Sequence, residues 1–346
     1  MNLSVLWGHT SYARAVAFSP NGAIVASGSA DGTVRTWDAK SGRALMVVDG
    51  HTETVWFVAF SPNGAEIISG TRDTTVRTCD AASGKVLAVA RGHSGGVVSV
   101  AISADGSVLA LGKGDFTVRV RDTQSGKARK SMILKGHTDV VNAVALSVDG
   151  AVVVSGSDDR TVRLWDAGSG KAIAVMQGHT WSVTSVTFSS DGTVIASGSW
   201  DCTVRTWDAT SGRALKVMYG HANEVNAVTF SPDGAVIASG SDDNTVRTWN
   251  AKSGRALAVM HGHTWFVASV AFSPDGTVVA SGAGDNTVRL WDARSAIDAW
   301  REMLALLLAA LPRNQGCPAR AFLHQDGQRD LCKQIIAFLL PREAVE

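Results

Sequence analysis

The chain has 346 residues, 45% of them hydrophobic, with 32 basic against 31 acidic side chains and a formal net charge of +1. This near-neutrality argues against a nucleic-acid binder that works through a broad basic face. The four cysteines are scattered without a CxxC pair, which argues against a zinc module and a disulfide-framed secreted domain. No secretory signal is apparent at the start, and the longest apolar run, 303–311, is too short to cross a bilayer. We expect a soluble protein without a membrane span, cytoplasmic or alternatively nuclear.

A repeat with a period of 42 residues dominates the chain. The dipeptide Gly-His occurs seven times, at intervals of 42, 42, 44, 42, 42 and 42 residues. A second dipeptide, ending in Asp or once in Asn, begins 29 residues after each of these glycines. Its copies are Trp37-Asp38, Cys79-Asp80, Arg121-Asp122, Trp165-Asp166, Trp207-Asp208, Trp249-Asn250 and Trp291-Asp292. Such a fixed period predicts a repeat architecture.

Each repeat has the pattern of four short strands joined by tight turns. In the first repeat, turns such as Asn21-Gly22 separate apolar segments at 13–18, 23–27, 33–37 and 43–48. Asn-Gly and Asp-Gly pairs tolerate positive φ and therefore favour hairpins. No helical period appears before residue 292. Four antiparallel strands cannot bury both faces alone, whereas seven such sheets packed radially can.

On these markers the chain resembles the WD-repeat (WD40) β-propeller family over roughly residues 3–292. The resemblance implies an all-β, seven-bladed propeller with four-stranded antiparallel blades. The last repeat lacks a fourth strand after Asp292, and the segment 2–9 aligns with 44–51, which holds the fourth strand of the first repeat. We therefore expect the N-terminal strand to complete the last blade, a velcro closure like that of the family.

The resemblance also implies a buried hydrogen-bonded tetrad in most blades, formed by the Gly-His imidazole, a strand hydroxyl, the tight-turn Asp and the WD tryptophan. In the first, fifth and seventh repeats these are His9, Ser27, Asp31, Trp37, His179, Ser197, Asp201, Trp207, His263, Ser281, Asp285 and Trp291. A His–Asp–Ser set is similar to a nucleophilic triad, but an active site is not normally copied into most blades of one ring. We interpret the set as architecture and predict no enzyme, no metal site and no cofactor. The arginine of the repeated Thr-Val-Arg is expected to form structural ion pairs.

In the family, binding residues commonly lie on the top face, at the third and fifth positions after the His and just before the turn Asp. With the neighbouring Trp181 and Trp265, these positions supply the predicted partner-binding residues Tyr12, Arg14, Trp56, Arg72, Asp158, Trp181, Trp200, Glu224, Asn226, Asp242, Trp265 and Phe266. Exposed Trp, Tyr and Arg are typical of protein interfaces. The four tryptophans of this set are expected in loops. The alternative is that their rings fill grooves between blades.

The third repeat and the C-terminal segment depart from the pattern. In the third repeat Leu111 replaces the tetrad Ser and Arg121 replaces the Trp, which predicts the weakest blade. Basic residues cluster between 119 and 135, either to dock an acidic partner or to prevent edge-to-edge aggregation. We divide the chain into a propeller, 1–293, and a C-terminal extension, 294–346, with two short apolar helices. These helices either pack on the propeller or dock a partner.

The predicted function is a non-catalytic scaffold or adaptor that binds peptide segments of other proteins on the top face. The aromatic loops, with the acidic Asp158, Glu224 and Asp242, suit a peptide that carries apolar anchors and a Lys or Arg. The alternative is a regulatory or substrate-receptor subunit of a larger assembly, such as a ubiquitin ligase, a signalling complex or a ciliary assembly, docked through residues 296–340. A glycosidase would need two carboxylates about 5–9 Å apart in the channel. No nucleic-acid partner is expected.

Overall fold

The computed structural model describes residues 2–71, 75–90, 97–103, 105–122 and 132–294. In this part of the chain, seven sheets of four antiparallel strands are present. The predicted all-β propeller with four-stranded blades is therefore confirmed. Both expected C-terminal helices, at 296–340, lie outside the described residues, as do Arg72 and the basic residues 127–130.

The strands of each sheet run from an inner to an outer position. The inner strands are β2 (Ala13–Phe18), β6 (Val55–Phe60), β10 (Val97–Ile102), β14 (Val141–Leu146), β18 (Val183–Phe188), β22 (Val225–Phe230) and β26 (Val267–Phe272). The second strands are β3 (Ile24–Ser29), β7 (Glu66–Thr71), β11 (Val108–Lys113), β15 (Val152–Ser157), β19 (Val194–Ser199), β23 (Val236–Ser241) and β27 (Val278–Ala283). The third strands are β4 (Val34–Asp38), β8 (Val76–Asp80), β12 (Val118–Asp122), β16 (Val162–Asp166), β20 (Val204–Asp208), β24 (Val246–Asn250) and β28 (Val288–Asp292). The outer strands are β1 (Asn2–Leu6), β5 (Ala44–Val48), β9 (Val86–Ala90), β13 (Met132–Leu134), β17 (Ala172–Met176), β21 (Ala214–Met218) and β25 (Ala256–Met260).

The sheets follow one another around a ring. Each inner strand contacts the inner strand of the next sheet, and β26 contacts β2. The first strand, β1, pairs antiparallel with β28, and Leu6 lies opposite Val288. Leu6 also packs in one cluster with Trp37 of the first sheet and Leu290 of the last. The seventh sheet therefore combines the N-terminal strand with three strands from the last repeat.

Apolar packing between neighbouring sheets forms the core. The five WD tryptophans are each 1% exposed, and Trp207 of the fifth sheet packs against Val154 and Leu164 of the fourth. Close approach of the sheets requires glycine in the second strand. A Cβ on Gly156 would lie 2.5 Å from Val183 Cγ1 in the next sheet, which is too short for any real contact. The repeated Ser-Gly-Ser segment therefore sets the spacing between sheets.

The turns between the first and second strands contact one another around the ring. In four places a turn proline lies within 4 Å of the Cβ position of a glycine in the next turn. These pairs are Pro20–Gly64, Pro62–Gly106, Pro232–Gly276 and Pro274–Gly22. In the fourth sheet Val148 takes the proline position, and Gly192 of the next turn has no such atom within 4 Å. The contact is therefore missing between the fourth and fifth sheets.

Replacing Val148 with proline is expected to raise the free energy of unfolding by about 0.4–1 kcal/mol, because proline restricts the unfolded chain at a turn position that accepts it. The Ser147 carbonyl accepts a hydrogen bond from the Gly150 amide at 2.8 Å, as in the Pro20 turn, and within the described residues the Val148 amide donates none. Urea unfolding measures the change. The control Val148→Ala should show no gain, and a Val148→Pro protein less stable than wild type would contradict the expectation.

Candidate functional site

Backbone hydrogen bonds bring the predicted binding positions together at one end of the ring. In five sheets the amide before the turn Asp donates to the carbonyl of the third residue after the His, at 2.8–3.0 Å. The donor–acceptor pairs are Ala30–Tyr12, Asp158–Val140, Trp200–Ser182, Asp242–Glu224 and Gly284–Phe266. We call this end of the ring the top face. It holds the predicted partner-binding residues that the structure describes.

A cavity of about 640 Å³ lies at the centre of the ring, and all seven inner strands line it. This volume falls within the usual range for ligand pockets. The predicted residues that line it are Arg14, Trp56, Asp158, Trp200 and Asn226. The predicted residues outside its lining are Tyr12, Trp181, Glu224, Asp242, Trp265 and Phe266. The predicted set thus divides into cavity residues and residues of the surrounding loops.

Aromatic rings from the first, second and seventh sheets meet beside this cavity. The Tyr12 ring centre lies 5.4 Å from that of Trp265 and 5.5 Å from that of Phe266, both edge to face. The Arg14 guanidinium carbon lies 4.6 Å from the Trp56 ring centre and 5.5 Å from the Phe266 ring centre. Such edge-to-face and cation–π contacts stabilise a fixed arrangement of rings. We call these five residues the aromatic sector.

The four predicted loop tryptophans differ in position and exposure. Trp181, Trp200 and Trp265 lie in loops and are 60%, 45% and 53% exposed. The loop prediction is wrong for Trp56, which lies in β6 and is half-buried. Its position in an inner strand places its ring against Arg14 of the preceding sheet. The alternative interpretation, a ring that packs between blades, therefore suits Trp56 better than it suits the three exposed tryptophans.

A glycine makes room for the Phe266 ring. A Cβ on Gly284 would lie 2.6 Å from Phe266 Cε1. Gly284 occupies the position before the turn Asp, where the fifth sheet has Trp200 and the sixth has Asp242. The ring therefore lies closer to the backbone of Gly284 than any side chain at this position would allow, and the aromatic sector depends on this glycine.

Carboxylates lie on another part of the top face, in the fourth and sixth sheets. Asn142 Nδ2 donates to Asp158 Oδ1 at 2.7 Å, and Asn226 Nδ2 donates to Asp242 Oδ1 at 2.6 Å. Burial raises the pKa of Asp242; Asn226 opposes this rise, and Glu224 adds to it. We call Asp158, Glu224 and Asp242 the acidic sector.

The side-chain nitrogen of Asn226 donates both of its hydrogens within the protein, so neither is available to a partner. Besides its bond to Asp242, Asn226 Nδ2 donates to the Val267 carbonyl of the next sheet at 3.0 Å. Asn142 Nδ2 donates in the same way to the Val183 carbonyl at 3.2 Å. Since an amide nitrogen carries two hydrogens, both donors of each Asn are used. Asn226 therefore positions Asp242 and joins two sheets.

The tetrad residues are brought together in the first, fourth, fifth, sixth and seventh sheets. In the first, His9 Nδ1 lies 3.0 Å from Asp31 Oδ2, His9 Nε2 lies 2.8 Å from Ser27 Oγ, and Trp37 Nε1 donates to Ser27 Oγ at 2.9 Å. The other four sets are His137, Ser155, Asp159 and Trp165; His179, Ser197, Asp201 and Trp207; His221, Ser239, Asp243 and Trp249; and His263, Ser281, Asp285 and Trp291.

The proton positions in the tetrad follow from what each group can donate. The indole only donates and the carboxylate only accepts, so the Ser27 hydroxyl gives its hydrogen to His9 Nε2, and His9 Nδ1 donates to Asp31. Ser27 is 0% exposed, as are Ser197 and Ser281. These hydroxyls cannot reach a substrate. The tetrads therefore hold the top-face loops to the sheets, and the triad-like composition has a structural explanation.

The ionisation of the tetrads depends on burial. Burial lowers the pKa of His9, His179 and His263 and outweighs the neighbouring carboxylates, so folding favours the neutral form of these imidazoles. For Asp31, burial opposes ionisation, but hydrogen bonds from Thr33 and from the Thr10 amide outweigh it and lower the pKa to about 2.

Stability is expected to fall in two steps as the pH decreases. The unfolded chain takes up histidine protons around its ordinary pKa of 6.5, which the buried imidazoles resist, so acidification from about pH 7 to 5 favours unfolding. Below about pH 4 the unfolded carboxylates bind protons while Asp31 stays ionised until about pH 2, which removes further stability. Urea unfolding at several pH values measures both steps. Stability that rises between pH 7 and 5 would contradict the assignment of neutral imidazoles.

The second and third sheets carry incomplete tetrads. In the second, His51 Nε2 lies 2.8 Å from Ser69 Oγ, and the buried Cys79 stands where other sheets have Trp. In the third, Leu111 is fully buried at the serine position. The third sheet nevertheless has its four strands, β10 to β13. Whether it is the weakest blade stays a prediction.

The expected ion pairs of the Thr-Val-Arg arginines are mostly absent from the five complete tetrads. There, only Arg247 lies within 4 Å of its turn Asp, with Nε 3.9 Å from Asp243 Oδ2. Arg163 Nε and Arg205 Nε instead donate to threonine hydroxyls, at 3.3 and 3.4 Å. Arg35 Nη1 lies 2.7 Å from the position of a Cβ on Gly8. In the third sheet Arg119 does pair with its turn Asp, with Nη2 3.0 Å from Asp115 Oδ2. The ion-pair prediction is therefore wrong for the first, fourth, fifth and seventh sheets, where the guanidinium packs along the Gly-His segment.

Among the described residues, no group of three or more His, Cys, Asp or Glu side chains is arranged to hold a metal ion. No helix in the same part of the chain is long and apolar enough to cross a membrane.

Comparison with known proteins gives the family. The model of the WD domain, G-beta repeat, matches seven times, at residues 2–38, 42–80, 84–122, 128–166, 170–208, 212–250 and 254–292. Protein Mut11 of Chlamydomonas reinhardtii is 60% identical over 37 residues, which are 11% of this chain and 10% of that protein. WD40 propellers generally mediate protein–protein interactions. With seven repeat matches along a seven-bladed ring, the chain belongs to the WD40 repeat family.

Proposed function

We propose that the protein is a non-catalytic scaffold that binds peptide segments of other proteins across the top face, at the mouth of the central cavity. The observation that carries the proposal is the combination of that cavity with three tryptophans, Trp181, Trp200 and Trp265, each 45–60% exposed on the same face. Large aromatic side chains with this exposure are costly in water and are typical of interface anchors.

The top face also offers the polar complement that a peptide requires. The aromatic sector fixes one cation, Arg14, between two rings, and the acidic sector lies in the fourth and sixth sheets. A peptide chain that crosses the cavity can therefore meet apolar, basic and acidic groups along its length. This distribution supports sequence-selective recognition better than it supports simple hydrophobic adhesion.

Selection from a synthetic peptide library on the immobilised full chain tests the proposal. Wild type is expected to retain a defined set of peptides, and the double variant Trp200→Ala/Trp265→Ala is expected to lose them, because both rings are exposed anchors. The control is Leu87→Ala, a 51% exposed apolar side chain on the outer strand β9. It should retain the peptides.

Equal urea midpoints for the three proteins establish that folding is unchanged, as expected for substitutions of exposed side chains. Peptides that remain on the tryptophan variant would overturn the proposal, and so would a wild type that retains no peptide.

A further inference from the structure

Each sheet ends in an outer strand whose open edge carries almost only positive charge. In the described part of the ring, each of the seven outer strands pairs with one strand, so its other edge is open. Counted with the residue before and the residue after each strand, the seven outer strands carry eight basic residues and one acidic residue. The basic residues are Arg43, Lys85, Arg91, Lys135, Lys171, Arg213, Lys216 and Arg255, and the acidic residue is Asp49. Open edges readily pair with strands of other molecules, and positive charge along an edge opposes its pairing with a second basic edge.

The edge of β5 differs from the others because residues of opposite charge stand at its two ends. Symmetric antiparallel pairing of a strand with its own copy places the third residue before the middle opposite the third residue after it. In β5 this pairing brings Arg43 of each copy beside Asp49 of the other, which gives two ion pairs. In β9 it would oppose Lys85 and Arg91, and in β21 Lys216 would lie opposite itself. Among the outer strands, β5 is therefore the one whose charges attract its own copy.

The side chains along β5 are available for this pairing. Arg43 and Asp49 are exposed, and between them Leu45 and Val47 are 43% and 44% exposed. Within the described residues, neither Arg43 nor Asp49 has an oppositely charged atom within 4 Å. The register with β4 shifts by one residue near Leu45, a displacement that the long Arg43 side chain can span.

We propose that a second copy of this chain pairs antiparallel with β5, edge to edge, and that ion pairs between Arg43 and Asp49 at both ends hold the two strands together. The contact joins the first sheets of the two copies across a two-fold axis. Since His51 follows the end of β5 by three residues, β5 runs towards the top face. The antiparallel partner runs the other way, so the two top faces point in opposite directions. The dimer does not depend on the proposed function, but it gives the proposed scaffold two separate binding faces.

Sedimentation equilibrium of the full chain over a range of concentrations tests the inference. Wild type is expected to form a reversible dimer, because a two-fold contact closes on itself. Arg43→Asp places like charges at both ends of the pairing and is expected to raise the dissociation constant about tenfold or more. The double variant Arg43→Asp/Asp49→Arg exchanges the two charges and is expected to restore the wild-type dissociation constant.

The matched control is Arg255→Asp, which changes an exposed arginine at the same position before β25. It should dimerise as wild type does, and equal urea midpoints for all four proteins establish that folding is unchanged. A wild type that is monomeric up to about 1 mM would overturn the proposal. A dimer that Arg43→Asp does not weaken, or that the double variant does not restore, would also overturn it, because these ion pairs would then not hold the two copies together.

Discussion

Replacing Leu6 with aspartate is expected to lower the free energy of unfolding by about 4 kcal/mol or more, the range for an unpaired charge buried in a core. Leu6 is 1% exposed, lies opposite Val288 in the seventh sheet, and packs with Trp37 of the first. A charge there would separate the N-terminal strand from the two sheets that it joins. Urea unfolding measures the loss.

The same strand supplies the control. Leu3 is 48% exposed in β1, so Leu3→Asp is expected to change stability by no more than about 0.5 kcal/mol. If both variants lose equally little, β1 does not hold the ring together, and the velcro closure expected from the sequence fails.

Replacing Trp207 with alanine is expected to cost about 3–5 kcal/mol, the range for removing a large aromatic side chain from a core. The indole is 1% exposed, fills the space between the fourth and fifth sheets, and donates to Ser197 Oγ at 2.8 Å. The truncation therefore leaves a cavity and removes one donor from a buried network.

An exposed tryptophan serves as the control, because it separates the effect of burial on stability from the effect of the residue type. Trp7 is 70% exposed, so Trp7→Ala should cost no more than about 0.5 kcal/mol in the same urea experiment. A loss below about 1 kcal/mol for Trp207→Ala would mean that the WD tryptophan is not a core residue. That result would contradict the packing described for all five complete blades.

The fold could be predicted because the same local pattern recurs in all seven repeats. The strand pattern, the turn dipeptides and the spacing from Gly-His to Trp-Asp recur together, so a repeat that departs from the pattern can still be assigned from the others. The meeting of His9, Ser27, Asp31 and Trp37 was expected from the family resemblance, and the geometry shows why these residue types are used. Each group supplies the donor or acceptor that the next one needs.

The top face was predictable as a set of positions but not as a set of contacts. The stacking of Arg14 between Trp56 and Phe266 joins three sheets that lie far apart in the sequence, and no local pattern encodes it. The prediction of arginine ion pairs was wrong in the first, fourth, fifth and seventh sheets for a related reason, since charge balance in a repeat says nothing about where a long side chain packs. The Asn and Asp residues at matching positions of the fourth and sixth sheets were visible in the sequence. Only the structure shows that each Asn donates a hydrogen bond to its Asp.

Photo-crosslinking of a library-selected peptide to the full chain, with mass spectrometry of the joined fragments, locates the bound peptide on the ring. If peptides bind across the top face, crosslinks are expected in the loops around Trp181, Trp200 and Trp265. Crosslinks confined to the outer strands, such as β9 or β17, or to residues 295–346, would contradict it.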